Sequence, residues 1–150
     1  MNRIWKPNVT VAAIVERDGR FLLVEEETSD GLRFNQPAGH LDEGESLVEA
    51  CVRETLEETA YDVRPTHLVG VYQIRIAQRD ITYLRFAFAG ELQGFDVTRD
   101  LDAGIVRALW LTPKEIEACT DRHRSPLVAQ CVKDWQAGRR FPLELIRHYA

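Results

Sequence analysis

Three glutamates, Glu54, Glu57 and Glu58, occupy positions i, i+3 and i+4 of one segment. On an α-helix, a rotation of about 100° per residue would bring the three side chains within one arc of roughly 100°. Carboxylates at this spacing repel one another, and a bound divalent cation would relieve the repulsion. Because oxygen ligands favour magnesium, the spacing predicts an Mg²⁺ site in which Mn²⁺ can substitute. The same spacing also fits the solvated face of an ordinary charged helix.

A longer spaced pattern surrounds these glutamates and favours the metal-site interpretation. Its fixed positions are Gly39, Glu45 after five residues, Arg53-Glu54 after seven more, Glu57-Glu58 and the apolar Tyr61. This stretch resembles the signature of the Nudix (MutT-like) hydrolase family, Gx5Ex7REUxEExGU, in which U is a bulky apolar residue. Two positions depart from the signature. Thr55 replaces a bulky apolar residue, and Ala60 replaces a glycine that would supply a positive φ, which costs an alanine about 1 to 2 kcal/mol.

The resemblance implies roles for the residues that match the signature. Glu54, Glu57 and Glu58 would bind the metal and perform catalysis, with Glu54 also a candidate general base, and the backbone carbonyl of Gly39 would be a further ligand. The other matching positions are Arg53 and Glu45, which would brace the loop against the helix. Arg53 is also counted among the catalytic residues. Considered alone, Glu45 is also simply a favourable acid beside a helix N-terminus. The family fold is α/β (α+β), a mixed β-sheet sandwiched between helices, and we expect one such domain over residues 1–150.

Four further pieces of the sequence resemble a branch of bacterial phosphatases within this family: residues 5–7, 24–26, 35–41 and 124–127. That narrower resemblance implies hydrolysis of phosphoanhydride bonds in nucleoside tri- and diphosphates and in thiamine-related pyrophosphates, namely thiamine pyrophosphate and hydroxymethylpyrimidine pyrophosphate, with release of orthophosphate. One alternative is a nucleoside-diphosphate-sugar or dinucleotide pyrophosphatase, since a metal site does not specify what fills the pocket. Another is a non-catalytic module that senses a nucleotide.

Candidate substrate and metal residues lie outside the signature as well. On the segment 81–92, a face with Arg85, Ala87, Ala89 and Glu91 alternates with a bulky apolar face, and predicts a groove floor in which Arg85 meets phosphate and Glu91 reaches the metal. A solvated strand face is the alternative. Three aromatic residues are candidates for stacking on a ring, although such residues in strands also form core: Phe34, Tyr72 and Tyr83. Arg124, beside a helix start, either approaches phosphate or is exposed to solvent.

The elements that must position these residues can be read from periodicity and caps. Residues 9–15 and 20–26 predict strands around an Asp18-Gly19 turn, and Ser46 with Glu49 forms a capping box for a helix over 47–59. Residues 68–76 and 81–92 predict an antiparallel pair, followed by a strand over 106–111. Helices are expected after Thr112-Pro113 and over 127–136, with Gly138 ending the last one.

Composition limits the partners. A chain of 150 residues with 45% hydrophobic content can bury one core, and a net charge of −5 gives no general attraction to nucleic acid, so we expect a small phosphorylated substrate. The longest apolar run, residues 9–15, is too short for a membrane span, and no signal-peptide pattern is present. Three widely separated cysteines argue against disulfides and zinc. We expect a cytoplasmic protein, either monomer or homodimer.

Overall fold

The computed structural model describes residues 3–150. Its strands are β1 (Asn8–Ile14), β2 (Glu16–Arg17), β3 (Arg20–Thr28), β4 (Gly31–Asn35), β5 (Ala38–His40), β6 (Tyr61–Ile76), β7 (Ile81–Phe95) and β8 (Ile105–Leu111). Its α-helices are α1 (Leu47–Thr59), α2 (Pro113–Ala118) and α3 (Leu127–Gln136). Short 3₁₀ turns occur at Ala77–Arg79, Thr120–Arg122 and Leu143–Leu145.

The strands form two sheets. The first sheet has the order β5-β1-β7-β6, in which β1 runs parallel to β7 and the other neighbours are antiparallel. In the second sheet, β3 pairs with β2, β4 and β8, all antiparallel. The first sheet is therefore mixed, as expected.

Successive side chains of a strand point to opposite faces of the sheet, and in the first sheet both faces carry apolar residues. Helices therefore cover both faces. One core cluster contains Val11 and Ala13 of β1 with Ala50 and Cys51 of α1. The other contains Ala12 and Ile14 of the same strand together with three residues of α3, Val128, Cys131 and Val132. The predicted fold class, a mixed sheet between helices, is confirmed.

The predicted start of α1 and the predicted strain at its end are both present. Ser46 and Glu49 form the reciprocal capping box. The helix ends at Ala60, which adopts the left-handed conformation with φ 64° where the family signature has glycine. Such a conformation disfavours any residue with a Cβ, so Ala60 is strained in the expected place.

Strand β6 is longer than the sequence indicated, because it begins at Tyr61 rather than Leu68. The left-handed turn at Ala60 leads directly from the helix into the strand. Pro65 argues against a strand in the middle of a sheet, but β6 lies at the sheet edge, where a missing N–H is tolerated. The register with β7 shifts between Pro65 and His67, which accommodates the proline. Strand β7 likewise extends to Phe95 rather than Leu92.

The Asp18-Gly19 turn is confirmed, with φ values of 52° and 78°. Its strands are β2 and β3, whereas β1 belongs to the other sheet. The cysteines Cys51, Cys119 and Cys131 are all free. Within residues 3–150, no helix has the length and apolar character needed to cross a membrane.

Candidate active site and metal centre

Helix α1 directs its acidic residues toward the edge of the first sheet. Thr55 is fully buried and its hydroxyl donates to the Cys51 carbonyl oxygen at 2.7 Å, which satisfies a polar group where the family signature has an apolar one. Glu54 and Glu57 are half-buried, and Glu58 is buried. The predicted helix therefore presents all three carboxylates from one side.

Arg53 connects the loop before α1 with the acidic residues on the helix. Its Nε and Nη2 donate to both carboxylate oxygens of Glu45, at 2.7 and 2.9 Å, and Nη2 also donates to the His40 carbonyl at 3.0 Å. Its Nη1 donates to Glu54 at 2.8 Å and to Glu57 at 3.2 Å. The hydrogen bonds from Arg53 are the main reason why the pKa of Glu45 is lowered. The bidentate pair fixes the loop against the helix, which is the bracing contact expected for these two residues.

Gly39 approaches Glu54 more closely than any other residue type would permit. A Cβ placed on Gly39 would lie 2.1 Å from the Glu54 carboxyl carbon and 2.3 Å from one of its oxygens. The glycine in β5 therefore makes room for the carboxylate next to the backbone of the strand. This contact brings the Gly39 peptide and the Glu54 side chain to the same place, as the resemblance implies.

Glu58 is the most deeply buried acid of the helix, with 8% of its surface exposed. Its carboxylate accepts a hydrogen bond from the Ala38 N–H at 2.9 Å. Burial raises the pKa of Glu58 to about 8, against the opposing effect of that hydrogen bond, and nearby Glu26 and Glu54 raise it further. Burial also raises the pKa of Glu54, although the hydrogen bond from Arg53 opposes this. Burial thus disfavours negative charge on these two carboxyls unless a cation offsets it.

Asp102 belongs to this site but was missed in the sequence. Glu54, Glu57 and Asp102 each offer a carboxylate oxygen, and these oxygens lie within 4.8 Å of one another. Asp102 lies in the loop between β7 and β8, and its N–H donates to the Glu57 carbonyl at 3.0 Å. No sequence spacing indicates this contact, because it joins residues 45 positions apart through the fold.

The donors that meet here fit a hard divalent cation. All the side-chain donors are carboxylates, and among residues 3–150 no histidine or cysteine joins the cluster of candidate metal ligands. Oxygen-only ligand sets suit magnesium or manganese rather than zinc. The residues whose oxygens cluster where they could hold such an ion are Glu54, Glu57 and Asp102, and the Gly39 peptide lies beside Glu54. The structure does not place Glu58 in this cluster, and its carboxylate accepts the Ala38 N–H instead.

A groove of about 870 Å³ begins at the acidic residues and crosses the first sheet on the face that α3 covers. Glu54 and Glu58 line the end at β5, and Ile74 and Ile76 line the end at β6. Residues from the second sheet and from the start of α3 also line it, among them Glu26, Arg33, Asn35 and Ser125. Since adjacent strands are about 4.8 Å apart, β5 and β6 are separated by about 14 Å. The groove therefore has an acidic end at β5 and an opposite end, the β6 end, where Ile74 and Ile76 lie beside the polar side chains of Gln78 and Arg79.

Arg85 lies in the floor of the groove between these ends and is 6% exposed. Its guanidinium donates to Asn35 Oδ1 at 2.9 Å and to Gln36 Oε1 at 3.0 Å, and Nη1 lies 3.8 Å from Cys131 Sγ. In the part of the chain that the structure describes, no carboxylate comes within 4.0 Å of it. A buried guanidinium with only neutral partners attracts an anion, so this residue suits contact with a phosphate.

Two further candidates line the groove. Tyr83 is half-buried, and its ring centroid lies 6.3 Å from that of His40. Arg124 is bound to Glu26 at 2.7 Å, and its N–H donates to the Phe34 carbonyl at 2.8 Å. Both side chains are placed where a ligand in the groove would meet them.

The aromatic candidates Phe34 and Tyr72 require correction. Phe34 is 5% exposed and lies in the core, with the Arg122 guanidinium 4.5 Å from its ring. Alternation along β4 explains this, because Arg33 and Asn35 line the groove while Phe34 points to the opposite side. Tyr72 packs against the same core and donates its hydroxyl to Asp134 at 2.6 Å.

The predicted groove floor extended in the wrong direction along β7. Ala87 and Ala89 are buried in the core that includes α3, so the face beyond Arg85 is not a groove. The structure does not bring Glu91 to the acidic cluster either. Its side chain is 67% exposed, and its carboxylate is bound to Arg64 of β6 at 2.5 Å. The groove instead runs from Arg85 toward Tyr83 and the β6–β7 turn.

Comparison with known proteins places the chain in a family. The sequence model of the NUDIX domain matches residues 5–131. The chain is 43% identical over 143 residues to Phosphatase NudJ of Escherichia coli K12, which covers 95% of this chain and 92% of the relative. The same identity and coverage hold for Phosphatase NudJ of Shigella flexneri.

Solved structures agree with this placement. A NUDIX hydrolase from Nitrosomonas europaea superposes with a TM-score of 0.94 at 50% identity, covering 96% of this chain and 98% of the other. A MutT NUDIX hydrolase from Burkholderia pseudomallei shares the fold alone, with a TM-score of 0.74 at 18% identity and coverage of 87% and 98%. The spaced glutamates, their bracing arginine and the match over most of the sequence converge: the chain belongs to the Nudix hydrolase family, enzymes that act on phosphorus-containing anhydrides of small substrates and generally use divalent metals.

Proposed function

We propose that this protein is a magnesium-dependent phosphatase, with Mn²⁺ able to substitute. It hydrolyses phosphoanhydride bonds in nucleoside tri- and diphosphates and in the thiamine-related pyrophosphates thiamine pyrophosphate and hydroxymethylpyrimidine pyrophosphate, releasing orthophosphate. The observation that carries this proposal is the continuity of the groove, in which the acidic residues of α1 lead to the buried cation Arg85. The similarity to Phosphatase NudJ over 95% of the chain supports the choice of a phosphatase.

The proposed metal ligands are the carboxylates of Glu54, Glu57, Glu58 and Asp102 with the carbonyl of Gly39. When bound, a divalent cation would neutralise charge on the phosphate oxygens and lower the pKa of a bound water. Arg53 acts as a positioning residue, because its hydrogen bonds orient Glu54 and Glu57 at 2.8 and 3.2 Å. Without that orientation the two carboxylates would be free to turn away from each other.

The chain also supplies a general base and two cations that bind the phosphates. Glu54 is the proposed general base, since Arg53 holds it at the end of the groove, where an attacking water would meet it. Arg85 binds a phosphate oxygen and holds it in line for attack, because its guanidinium is fixed by Asn35 and Gln36. Arg124 approaches the phosphates from the opposite wall of the groove.

The organic part of the substrate occupies the groove from Tyr83 to the β6 end. Tyr83 and the side chains of Ile74 and Ile76 offer a surface on which a flat ring can pack. A substrate with phosphate at one end and a ring at the other matches the polarity of the groove from β5 to β6. Nucleotides and thiamine pyrophosphate both have this form.

A pyrophosphatase acting on nucleoside-diphosphate sugars or dinucleotides is the second candidate. The groove volume of about 870 Å³ lies within the range of roughly 300 to 1,000 Å³ typical of small-molecule sites and leaves room for such a substrate. The products distinguish the two activities. A phosphatase releases orthophosphate and a nucleoside diphosphate from a triphosphate, whereas cleavage of a nucleotide sugar releases a nucleoside monophosphate and a sugar phosphate.

The experiment is a product-resolved assay of the purified protein with magnesium. Nucleoside di- and triphosphates, thiamine pyrophosphate and a nucleotide sugar are supplied separately, and orthophosphate, pyrophosphate and sugar phosphate are measured. We expect orthophosphate from the first three substrates. Pyrophosphate from the triphosphate, or turnover of the nucleotide sugar alone, would contradict the proposed substrate class. The absence of turnover with every substrate would favour a non-catalytic nucleotide-sensing module.

The proposal also covers partners and location. A net charge of −5 argues for a small substrate rather than nucleic acid. Three free cysteines suit the reducing cytoplasm. Monomer and homodimer are both compatible with the proposed site, because each proposed ligand comes from the same chain.

A further inference from the structure

Arg79 joins two hairpins that belong to different sheets. It lies in the turn between β6 and β7, and its Nη2 donates to Ser29 Oγ at 2.9 Å. The same nitrogen lies 3.6 Å from a carboxylate oxygen of Asp30, in the turn between β3 and β4. We call these three residues the Arg79 latch. Both Arg79 and Asp30 line the groove, so the latch crosses its rim.

The latch is at the end of the groove remote from the acidic residues. Glu26 of β3 is close enough to Glu58 to raise its pKa, whereas Asp30 is four residues farther along the chain. At about 3.3 Å per residue, four residues of extended chain correspond to roughly 13 Å. That length agrees with the spacing of about 14 Å across the sheet from β5 to β6. The latch therefore closes the β6 end, where Ile76 lies, and Tyr83 lies between the two ends, since its ring is 6.3 Å from that of His40 in β5.

We propose that the Arg79 latch is a specificity-determining element that limits how far the ring system of a substrate can extend beyond Tyr83 and Ile76. This inference rests on the proposed function, in which the ring occupies the groove from Tyr83 to the β6 end. A compact ring fits within the latch, and a ring system with an additional fused ring displaces Arg79 from Ser29 and Asp30. The protein thus selects phosphoanhydrides that carry a compact ring.

The strength of the latch sets the size of the effect. Its ion pair is largely solvent-exposed, with 34% of the Arg79 side chain and 70% of the Asp30 side chain accessible. An exposed pair of this kind changes an equilibrium constant by no more than a few-fold. Removing the latch should therefore favour a larger ring over a smaller one by about three- to fivefold.

The test compares adenosine diphosphate with its 1,N6-etheno derivative, which differs by one additional fused ring. Arg79→Ala removes the latch, and Asp30→Asn weakens it while keeping Arg79. Arg75→Ala is the matched control, because Arg75 is in the same hairpin and is bound to Asp80 at 2.8 Å but does not line the groove. Both kcat/KM and, by calorimetry with magnesium, Kd are measured for each compound.

We expect the ratio of etheno to parent compound to rise about three- to fivefold in kcat/KM and in 1/Kd for Arg79→Ala. The same ratio should also rise for Asp30→Asn, and it should stay at the wild-type value for Arg75→Ala. Ratios in Arg79→Ala and Asp30→Asn that equal the Arg75→Ala value would overturn the inference while leaving the proposed function intact. If the wild-type protein neither turns over nor binds either compound, the proposed function fails and this inference fails with it.

Discussion

Glu58→Gln should stabilise the metal-free protein, and the gain should depend on pH. Glu58 is 8% exposed, and burial raises its pKa from 4.5 to about 8. Between these two values the folded protein binds more protons at this site than the unfolded chain does, so stability falls as pH rises from about 4.5 to about 8. Below this window the carboxyl is protonated in both states and costs nothing. Above it, the full penalty applies.

The magnitude follows from the difference between the two pKa values. At 1.36 kcal/mol per pKa unit, the penalty at pH 7 is about 3 kcal/mol, and it reaches about 4 to 5 kcal/mol above pH 8. Glutamine carries no charge and retains an oxygen that can accept the Ala38 N–H, which Glu58 now accepts at 2.9 Å. The variant should therefore keep the local geometry and lose the penalty.

The assay is urea unfolding in EDTA at pH 5, 7 and 8.5 for the wild-type protein, Glu58→Gln and Glu117→Gln. Glu117 is an exposed glutamate of α2 and serves as the matched control. We expect the free energy of unfolding of Glu58→Gln to exceed that of the wild type by an amount that grows from pH 5 to pH 8.5. A difference that is the same at all three values would refute the reasoning that burial sets this pKa. With magnesium in place of EDTA, the wild type should gain stability and the variant should gain much less.

Three other substitutions test separate parts of the account. Gly39→Ala should lower kcat/KM by about 10- to 100-fold, because its Cβ would lie 2.1 Å from the Glu54 carboxyl carbon, whereas Gly94→Ala, with nothing within 4 Å of the added Cβ, should leave kcat/KM unchanged. Asp102→Asn should raise the magnesium concentration for half-maximal activity about tenfold or more. An equal effect of Asp100→Asn, measured in the same titration, would show that Asp102 has no special part in metal binding. Glu25→Gln should destabilise the protein by about 1 to 3 kcal/mol at pH 7, because hydrogen bonds from Arg122 and Arg107 lower the pKa of Glu25. That stabilisation is present above about pH 4.5 and is lost as pH falls through the lowered pKa, so the difference between Glu25→Gln and the wild type in urea unfolding should shrink below pH 4.5.

Local signals in the sequence were enough to predict much of the helix that carries the site. The capping pair Ser46 and Glu49 marks its start, and the position of Ala60 in the family signature marks its strained end. These features depend on residues a few positions apart, whose interactions a helix fixes almost by itself. The contact of Arg53 with Glu45 was expected from the resemblance to the family signature, in which both are fixed positions.

Features that depend on long-range packing were not predictable in this way. Asp102 reaches the acidic residues only because the loop before β8 hydrogen-bonds to Glu57. Phe34 was a candidate for stacking on a ring because the alternation of Leu32 and Phe34 with polar residues along β4 does not show which face meets the core. The edge position of β6 explains why Pro65 did not interrupt it, and that position is a property of the whole sheet.

The direction of the groove also depends on long-range packing and could not be predicted from the sequence. The small residues Ala87 and Ala89 suggested the floor of a groove, but α3 covers them. The sequence does not reveal this contact, because α3 lies about 40 residues farther along the chain. The open part lies on the other side of Arg85, where Tyr83 and the two hairpin turns surround it. A small side chain in a strand indicates close packing as readily as it indicates a cavity.

The central claim is that the carboxylates of α1 and Asp102 hold a divalent metal for phosphoanhydride hydrolysis. The most direct measurement is phosphorus-31 magnetic resonance of a nucleoside triphosphate incubated with the wild-type protein, Glu57→Gln and Glu117→Gln, each with magnesium and with EDTA. We expect orthophosphate and nucleoside diphosphate from the wild type and from Glu117→Gln with magnesium only, and a rate for Glu57→Gln lower by about 100-fold or more. Turnover that persists in EDTA, or that Glu57→Gln leaves at the wild-type rate, would contradict this claim.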